Sequence, residues 1–115
     1  GVGYVCEEGG RVVGAFAFIV GEEPTYQVIE GGSWRSDEPY GTIHRIASDG
    51  TVRGIARACF DFCATEISHL RIDTHADNRP MQGAIRKFGF EQRGIIYVED
   101  GSARLAYDWL SDSRR

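Results

Sequence analysis

No stretch of this chain stays apolar for the roughly 18 residues that crossing a bilayer requires. The longest apolar run, Val12 to Val20, is broken by Gly14 and falls short, so a membrane protein is not expected. The N-terminal residues show no basic region leading into an apolar stretch, and no secretory signal is read there. Cysteine is scarce. Cys6, Cys59 and Cys63 make an odd number without framework spacing, which argues against a disulfide-stapled scaffold and for reduced thiols in a cytoplasm. Cys59 and Cys63 stand one helical turn apart, but no His or acidic partner lies at a useful spacing. No metal site is expected, and both read as small core residues. Positive charge is not in excess either. A formal net charge of -4 argues against a nucleic-acid partner, whose domains are usually basic.

What is present is the composition of a soluble globular protein, 42% apolar and 26% charged over 115 residues. That length is one domain, residues 1–115, able to bury about two thirds of its unfolded surface. Residues 4–20 predict a β-hairpin around Glu7-Glu8-Gly9-Gly10. Residues 25–39 read as an irregular connector holding two large aromatics, Tyr26 and Trp34. A third strand is expected over Tyr40–Ala47, then a tight loop, Ser48-Asp49-Gly50. A helix from about Thr51 to Ile67 carries Val52, Ile55, Ala56, Cys59, Phe62, Cys63 and Ile67 on one face. A fourth strand over His69–His75 leads to a helix from about Arg79 to Phe88. Asp77 or Asn78 serves as cap, Pro80 sits in the first turn and Gly89 follows the last. Glu91–Val98 and Ser102–Leu110 close as a hairpin through Asp100-Gly101. The order β-β-β-α-β-α-β-β is that of a mixed α/β fold whose sheet has one parallel step.

The strand–loop–helix segment IHRIASDGTVRGIARA carries the chemistry. A helix N-terminus offers unpaired N–H groups and partial positive charge, and small residues let a phosphate reach the backbone. Gly50, Gly54 and Ala56 supply small positions, and Arg53 and Arg57 add cationic donors. A pyrophosphate site is one reading. A plain tight turn, with Gly54 packing helix against sheet, is the other. A Walker-type loop is excluded because no Lys followed by Ser or Thr comes after the glycines, and GxGxxG is absent.

Thr51-Val52-Arg53-Gly54-Ile55-Ala56 resembles the Gln/Arg-x-x-Gly-x-Gly/Ala motif of the GNAT N-acetyltransferases. Asn78 followed by Lys87-Phe88-Gly89-Phe90 resembles that family's second motif, and the likeness spans roughly residues 4–110. TYQVIEGGSW and Arg104–Tyr107 look like segments of a small bacterial subgroup. The resemblance implies a GNAT-like fold with a splayed central strand pair, and acetyl-coenzyme A as cofactor. Ile46, Ala47 and Ser48 would lie along the pantetheine arm. Backbone N–H groups from Thr51 and Val52 through Arg53, Gly54, Ile55, Ala56 and Arg57 would hold the pyrophosphate, with Asn78 and Met81 on the second wall. The implied reaction is direct attack of a primary amine, a small molecule or a peptide N-terminus, on the thioester. Ribosomal-protein N-acetyltransferases place a Glu proposed as base at the offset of Asp73 from Asn78, so Asp73 is a candidate base or amine anchor. An ion pair with Arg71 or Arg45 is the bland reading of the same residue. His44 is the other base candidate, and His75 is read as part of a turn. Tyr26 and Trp34 are candidate acceptor-wall residues, or they simply pin the connector.

Three features depart from the family pattern. Thr51 stands where Gln or Arg is usual. Ile85 stands where a Tyr often serves as acid, leaving Tyr97 as a possible substitute. The family's opening strand and helices, which cover one sheet face, have no counterpart ahead of the first hairpin. A non-catalytic acyl-coenzyme A-binding or sensing module and a structural domain whose loop binds nothing therefore stand beside the enzyme reading. Either the sequence is a fragment or another subunit or copy covers that face; an uncovered apolar face drives association, so a homo-oligomer, dimer or larger, is expected. Light scattering at micromolar concentration checks it, and a monomer counts against it.

Overall fold

The computed structural model describes residues 2–111. Its first hairpin forms where β-branched and aromatic residues flank Gly9-Gly10. β1 (Val2–Glu8) and β2 (Arg11–Val20) pair antiparallel. Both turn glycines hold positive φ, 59° and 79°, the handedness a tight hairpin needs. β3 (Gly41–Ser48) pairs antiparallel with β2. α1 (Ile55–Glu66) then crosses to β4 (His69–Thr74), which runs parallel to β3. α2 (Arg79–Phe88) is followed by the hairpin of β5 (Glu91–Tyr97) and β6 (Ala103–Leu110). The six strands make one mixed sheet in the order β1-β2-β3-β4-β6-β5. The fold class and element order expected from the sequence hold, with a short 3-10 turn at Pro24–Tyr26 added. No helix among the described residues is long and apolar enough to cross a membrane.

α1 begins four residues later than the apolar spacing suggests. The Asp49 carboxylate accepts the N–H of Thr51 at 2.9 Å and its hydroxyl at 2.6 Å. Gly50 and Gly54 both adopt φ 81°. These two left-handed positions spend residues 50–54 on a turn, and helical hydrogen bonding starts with Ala58 N–H to Gly54 O at 2.9 Å. The buried face is also rotated from expectation. Phe62 is 38% exposed, whereas Phe60 is fully buried, its ring 5.4 Å from Phe88 and 5.2 Å from Phe90. α1 is packed by the sheet on one side and α2 on another, so a single-stripe reading misplaced one aromatic. Cys59 and Cys63 are buried free thiols, as read.

Both helices share one face of the sheet. The other face carries the connector, whose Tyr26 and Tyr40 build a second apolar cluster with Ile96 and Ala106. Charged anchors hold it there. The Arg71 guanidinium lies between the rings of Trp34 and Tyr40, 4.1 Å and 3.9 Å from their centroids, and donates to Ser36 O at 2.8 Å. Arg35 donates through Nε to Asp108 Oδ1 at 2.7 Å and through its backbone N–H to Oδ2 at 3.1 Å. Asp108 is wholly buried, and a buried carboxylate is tolerable only when so satisfied.

His69, 1% exposed, stands beside this network with Nδ1 3.2 Å from Glu38 O. Burial and then the nearby Arg71 charge push its pKa down from 6.5 to about 4. Between those values the unfolded chain binds a proton that the folded chain refuses. Stability is therefore full above pH 6.5 and is lost as pH falls toward 4. Urea midpoints measured across that window should decline on acidification, and less steeply in His69→Gln.

Candidate active site

The pairing of β3 with β4 stops almost as soon as it starts. Only Gly41↔Leu70 and Thr42↔Arg71 are in register, although β3 continues to Ser48 and β4 to Thr74. The cause is visible on the β2 side of β3. Ala15 pairs with Ala47 and Ala17 with His44, so Arg45 and Ile46 together oppose Phe16. Arg45 takes the extra-residue position with φ 56°. Such a bulge bends its strand and raises the local twist. The result is a cleft of about 780 Å³ between the diverging strands.

The bulge also sorts side chains between the two mouths of the cleft. Ile43 and Ile46 both pack with the helix-side core, which plain alternation would forbid. Asn78 and Met81 of α2 line that mouth. On the connector side stand Glu23, Thr25, Val98, Glu99, Asp100 and Arg104. His44 and Asp73 lie between these groups, from opposite walls.

On the helix side the loop after β3 leads to bare amides. Gly54 is the N-cap of α1 and offers no side-chain cap, so the first-turn N–H groups of Ile55, Ala56 and Arg57 have no helical acceptor. Nothing crowds Gly50 or Gly54 where a Cβ would stand. The alternative that Gly54 is small in order to pack helix on sheet is therefore set aside, and its glycine identity follows from its positive φ. Thr51 accepts a hydrogen bond from Arg11 at 2.9 Å, which brings a cation to the loop from 40 residues upstream. Val52 packs on the core and Arg53 is exposed. The Arg57 guanidinium is turned to α2, with Nε 3.2 Å from Asp61 and the Phe88 ring centroid 5.0 Å away. It does not join the loop as a phosphate donor here, and only its backbone N–H faces that role. Ala47 and Ser48 extend β3 with one edge paired to Ala15 and Gly14.

Asn78 caps α2 by accepting Met81 N–H at 3.2 Å, which leaves its amide NH₂ as the group with donors to offer. His75 Nδ1 accepts Asp77 N–H at 3.1 Å, the turn role read from sequence, although the residue also borders the cleft. Asp73 accepts the Tyr26 hydroxyl at 2.7 Å, and its other oxygen is 3.8 Å from Arg104 NH1. Its ion-pair partner is thus Arg104, not Arg71 or Arg45. Burial and the Asp73 charge hold the Tyr26 pKa well above 10.0, so this phenol stays a donor. Tyr26 is 1% exposed and Trp34 donates its indole N–H to Tyr26 O at 2.9 Å. Both pack the connector and neither lines the cleft. Tyr97 is also displaced from its suggested role. It is 44% exposed and donates to Glu30 at 2.9 Å, and a hydrogen bond to that carboxylate raises its pKa. It is not among the residues lining the cleft, although Val98 and Glu99 directly after it are.

Sequence reasoning missed Glu23, whose Oε1 lies 3.3 Å from His44 Nε2. It also missed Arg11, Arg104 and the acidic turn Glu99-Asp100. None carries a local signal, since each reaches the site across sheet neighbours or from a turn.

No protein-family model matches the chain. No curated protein matches it either. Solved structures do. The chain is similar to an acetyltransferase of the GNAT family from Streptococcus agalactiae 2603, with 32% identity and a TM-score of 0.85 over 94% of this chain and 64% of that one. It spans somewhat under two thirds of that protein's length. An N-acetyltransferase from Staphylococcus aureus Mu50 is 24% identical with a TM-score of 0.62, covering 94% of this chain and 66% of the other. The ribosomal-protein-S18-alanine N-acetyltransferase from Escherichia coli is 16% identical with a TM-score of 0.63, covering 96% and 69%. At those identities the last two speak for the fold alone. A shared architecture over nearly all of the described residues, joined to the 32% identity with the streptococcal protein, gives this chain the fold of the GNAT-family acetyltransferases and supports its assignment to that family.

Proposed function

We propose that this chain binds acetyl-coenzyme A and moves its acetyl group to a primary amine. The observation that carries the reading is the open edge of β3 beyond Thr42, ending in an uncapped helix N-terminus. An extended arm with amides of its own can lie along such an edge as an added strand. In this reading Ile46, Ala47 and Ser48 take that arm. The backbone N–H groups of Val52 to Arg57 hold a diphosphate, with the Asn78 amide and Met81 across the cleft. The residues present therefore fit the cofactor. When bound, it supplies an acyl group activated as a thioester.

The acceptor belongs in the connector-side mouth. Glu23, Asp73, Glu99 and Asp100 border the cleft together with Arg45 and Arg104, a local excess of negative charge that attracts an ammonium group. A small amine or a peptide N-terminus fits this mouth. The reading extends to a cytoplasmic location, supported by three free thiols, and to a homo-oligomer. Val5, 60% exposed, and Ile19, 36% exposed, support association.

A second reading has its own support. Ile85, at the family's acid position, is fully buried, and Tyr97, its possible substitute, is bonded to Glu30 and does not line the cleft, so neither offers an acid there. A binding or sensing module that holds acyl-coenzyme A without turnover matches that lack.

Isothermal titration with acetyl-coenzyme A should give saturable binding. Gly54→Val, which forces a β-branched residue to positive φ, should weaken it at least about tenfold, a change of about 1.4 kcal/mol. No heat with the wild-type chain removes both readings. Thiol release with an amine library then separates the enzyme from the sensor.

A further inference from the structure

We infer that His44 is the group that takes the proton from the acceptor amine, and that Glu23 is the positioning residue that makes it a base. The inference rests on the acetyl-transfer reading above and assigns the proton path within that site.

The geometry is built around Glu23, which sits at the start of the 3-10 turn Pro24–Tyr26. Its Oε2 accepts both the N–H and the hydroxyl of Thr25 at 2.9 Å. Its own N–H donates to the Tyr40 hydroxyl at 2.8 Å. The two bonds from Thr25 hold Oε2 and the third holds the backbone, while the other carboxylate oxygen, Oε1, stands 3.3 Å from His44 Nε2. Both side chains are partly exposed, 27% and 20%, so the pair adds little to stability. So much fixing of a pair with so little structural return points to function. A carboxylate beside one ring nitrogen holds the proton on that nitrogen, leaves the lone pair on the other and favours the charged ring once it forms. For His44 the basic atom is then Nδ1.

Asp73 is less suited to this task. Tyr26 holds one of its oxygens and Arg104 lies by the other. A carboxylate so engaged anchors an ammonium more readily than it receives a proton. The two walls then divide the work, with Asp73 orienting the amine and His44 deprotonating it. The bound ammonium gives one proton to Nδ1, and the imidazolium releases it to solvent. The second proton leaves nitrogen as the N–C bond forms and the C–S bond breaks, and it ends on the departing thiolate. Charge and atoms balance with no further reactant.

The titratable and charged groups bordering the same cleft are Arg45 on β3, Asp73 on β4, His75 just after β4, and Glu99, Asp100 and Arg104 on the closing hairpin. His75 is separated from the task by its bond to Asp77 N–H.

The test is the pH dependence of kcat, read by thiol release with the amine that wild type uses best, alongside calorimetry with coenzyme A. His44→Gln should lower kcat about a hundredfold, within the usual range for a general base, and erase the acidic limb. Glu23→Gln should lower kcat about tenfold and alter the pH profile, because the ring loses the carboxylate that orients it. Thr25→Val, which removes one hydrogen bond to Glu23, should do the same to a smaller extent. Asp73→Asn should raise KM for the amine and leave the limb in place. Coenzyme A affinity should be unchanged throughout. A Glu23→Gln or Thr25→Val profile superimposed on wild type, or an acidic limb erased by Asp73→Asn instead, overturns the assignment while coenzyme A binding preserves the broader reading. Absence of coenzyme A binding in wild type overturns both.

Discussion

Two residue pairs hold β3 to β4, and everything specific about this molecule follows from there being no more. A parallel strand pair in the middle of a sheet normally continues until one strand ends. Here the Arg45 bulge turns β3 away while β4 keeps its full ladder with β6. The unpaired backbone left behind would be costly if buried dry. It is instead exposed to the cleft, where a ligand or solvent supplies the missing partners. The helices α1 and α2 bound that opening on one side, and the connector bounds it on the other.

The two faces divide the chemistry. The helix face holds the larger core and offers backbone donors at the start of α1. The connector face holds the smaller core and offers side chains: carboxylates, an imidazole and the Arg104 guanidinium. Buried charge fixes the second face. Asp108 draws Arg35 down onto β6, and Arg71 stacks between two connector rings. An irregular segment thereby acquires the rigidity that a site on regular elements would have.

Much of the fold was legible in the sequence because it rests on local signals. Gly9-Gly10, Asp100-Gly101, the Asn78 cap and Gly89 each act within a few residues, and each stands where it was read. α1 was misread at its start because two glycines in left-handed conformation look, in sequence, like small residues inside a helix. The site was legible only on its backbone half. The Gly-containing loop announces itself by spacing, but the side chains of the opposite mouth meet through strand register and a folded connector. Glu23 reaches His44 from 21 positions away, Tyr26 reaches Asp73 from 47 and Arg35 reaches Asp108 from 73. No periodicity encodes such meetings. Tyr26 and Trp34 were noticed for their size, and size explains their burial rather than a place in the cleft.

The connector has one more effect, at the rim of the sheet. Glu30 and Ile95 exchange backbone hydrogen bonds at 2.9 Å in both directions. The approach is close enough that a Cβ on Gly94 would strike Glu30 O, and one on Gly32 would strike Arg93 O. The bridge occupies the outward-facing backbone groups of Ile95, so the connector opposes the addition of a foreign strand along this part of the β5 rim.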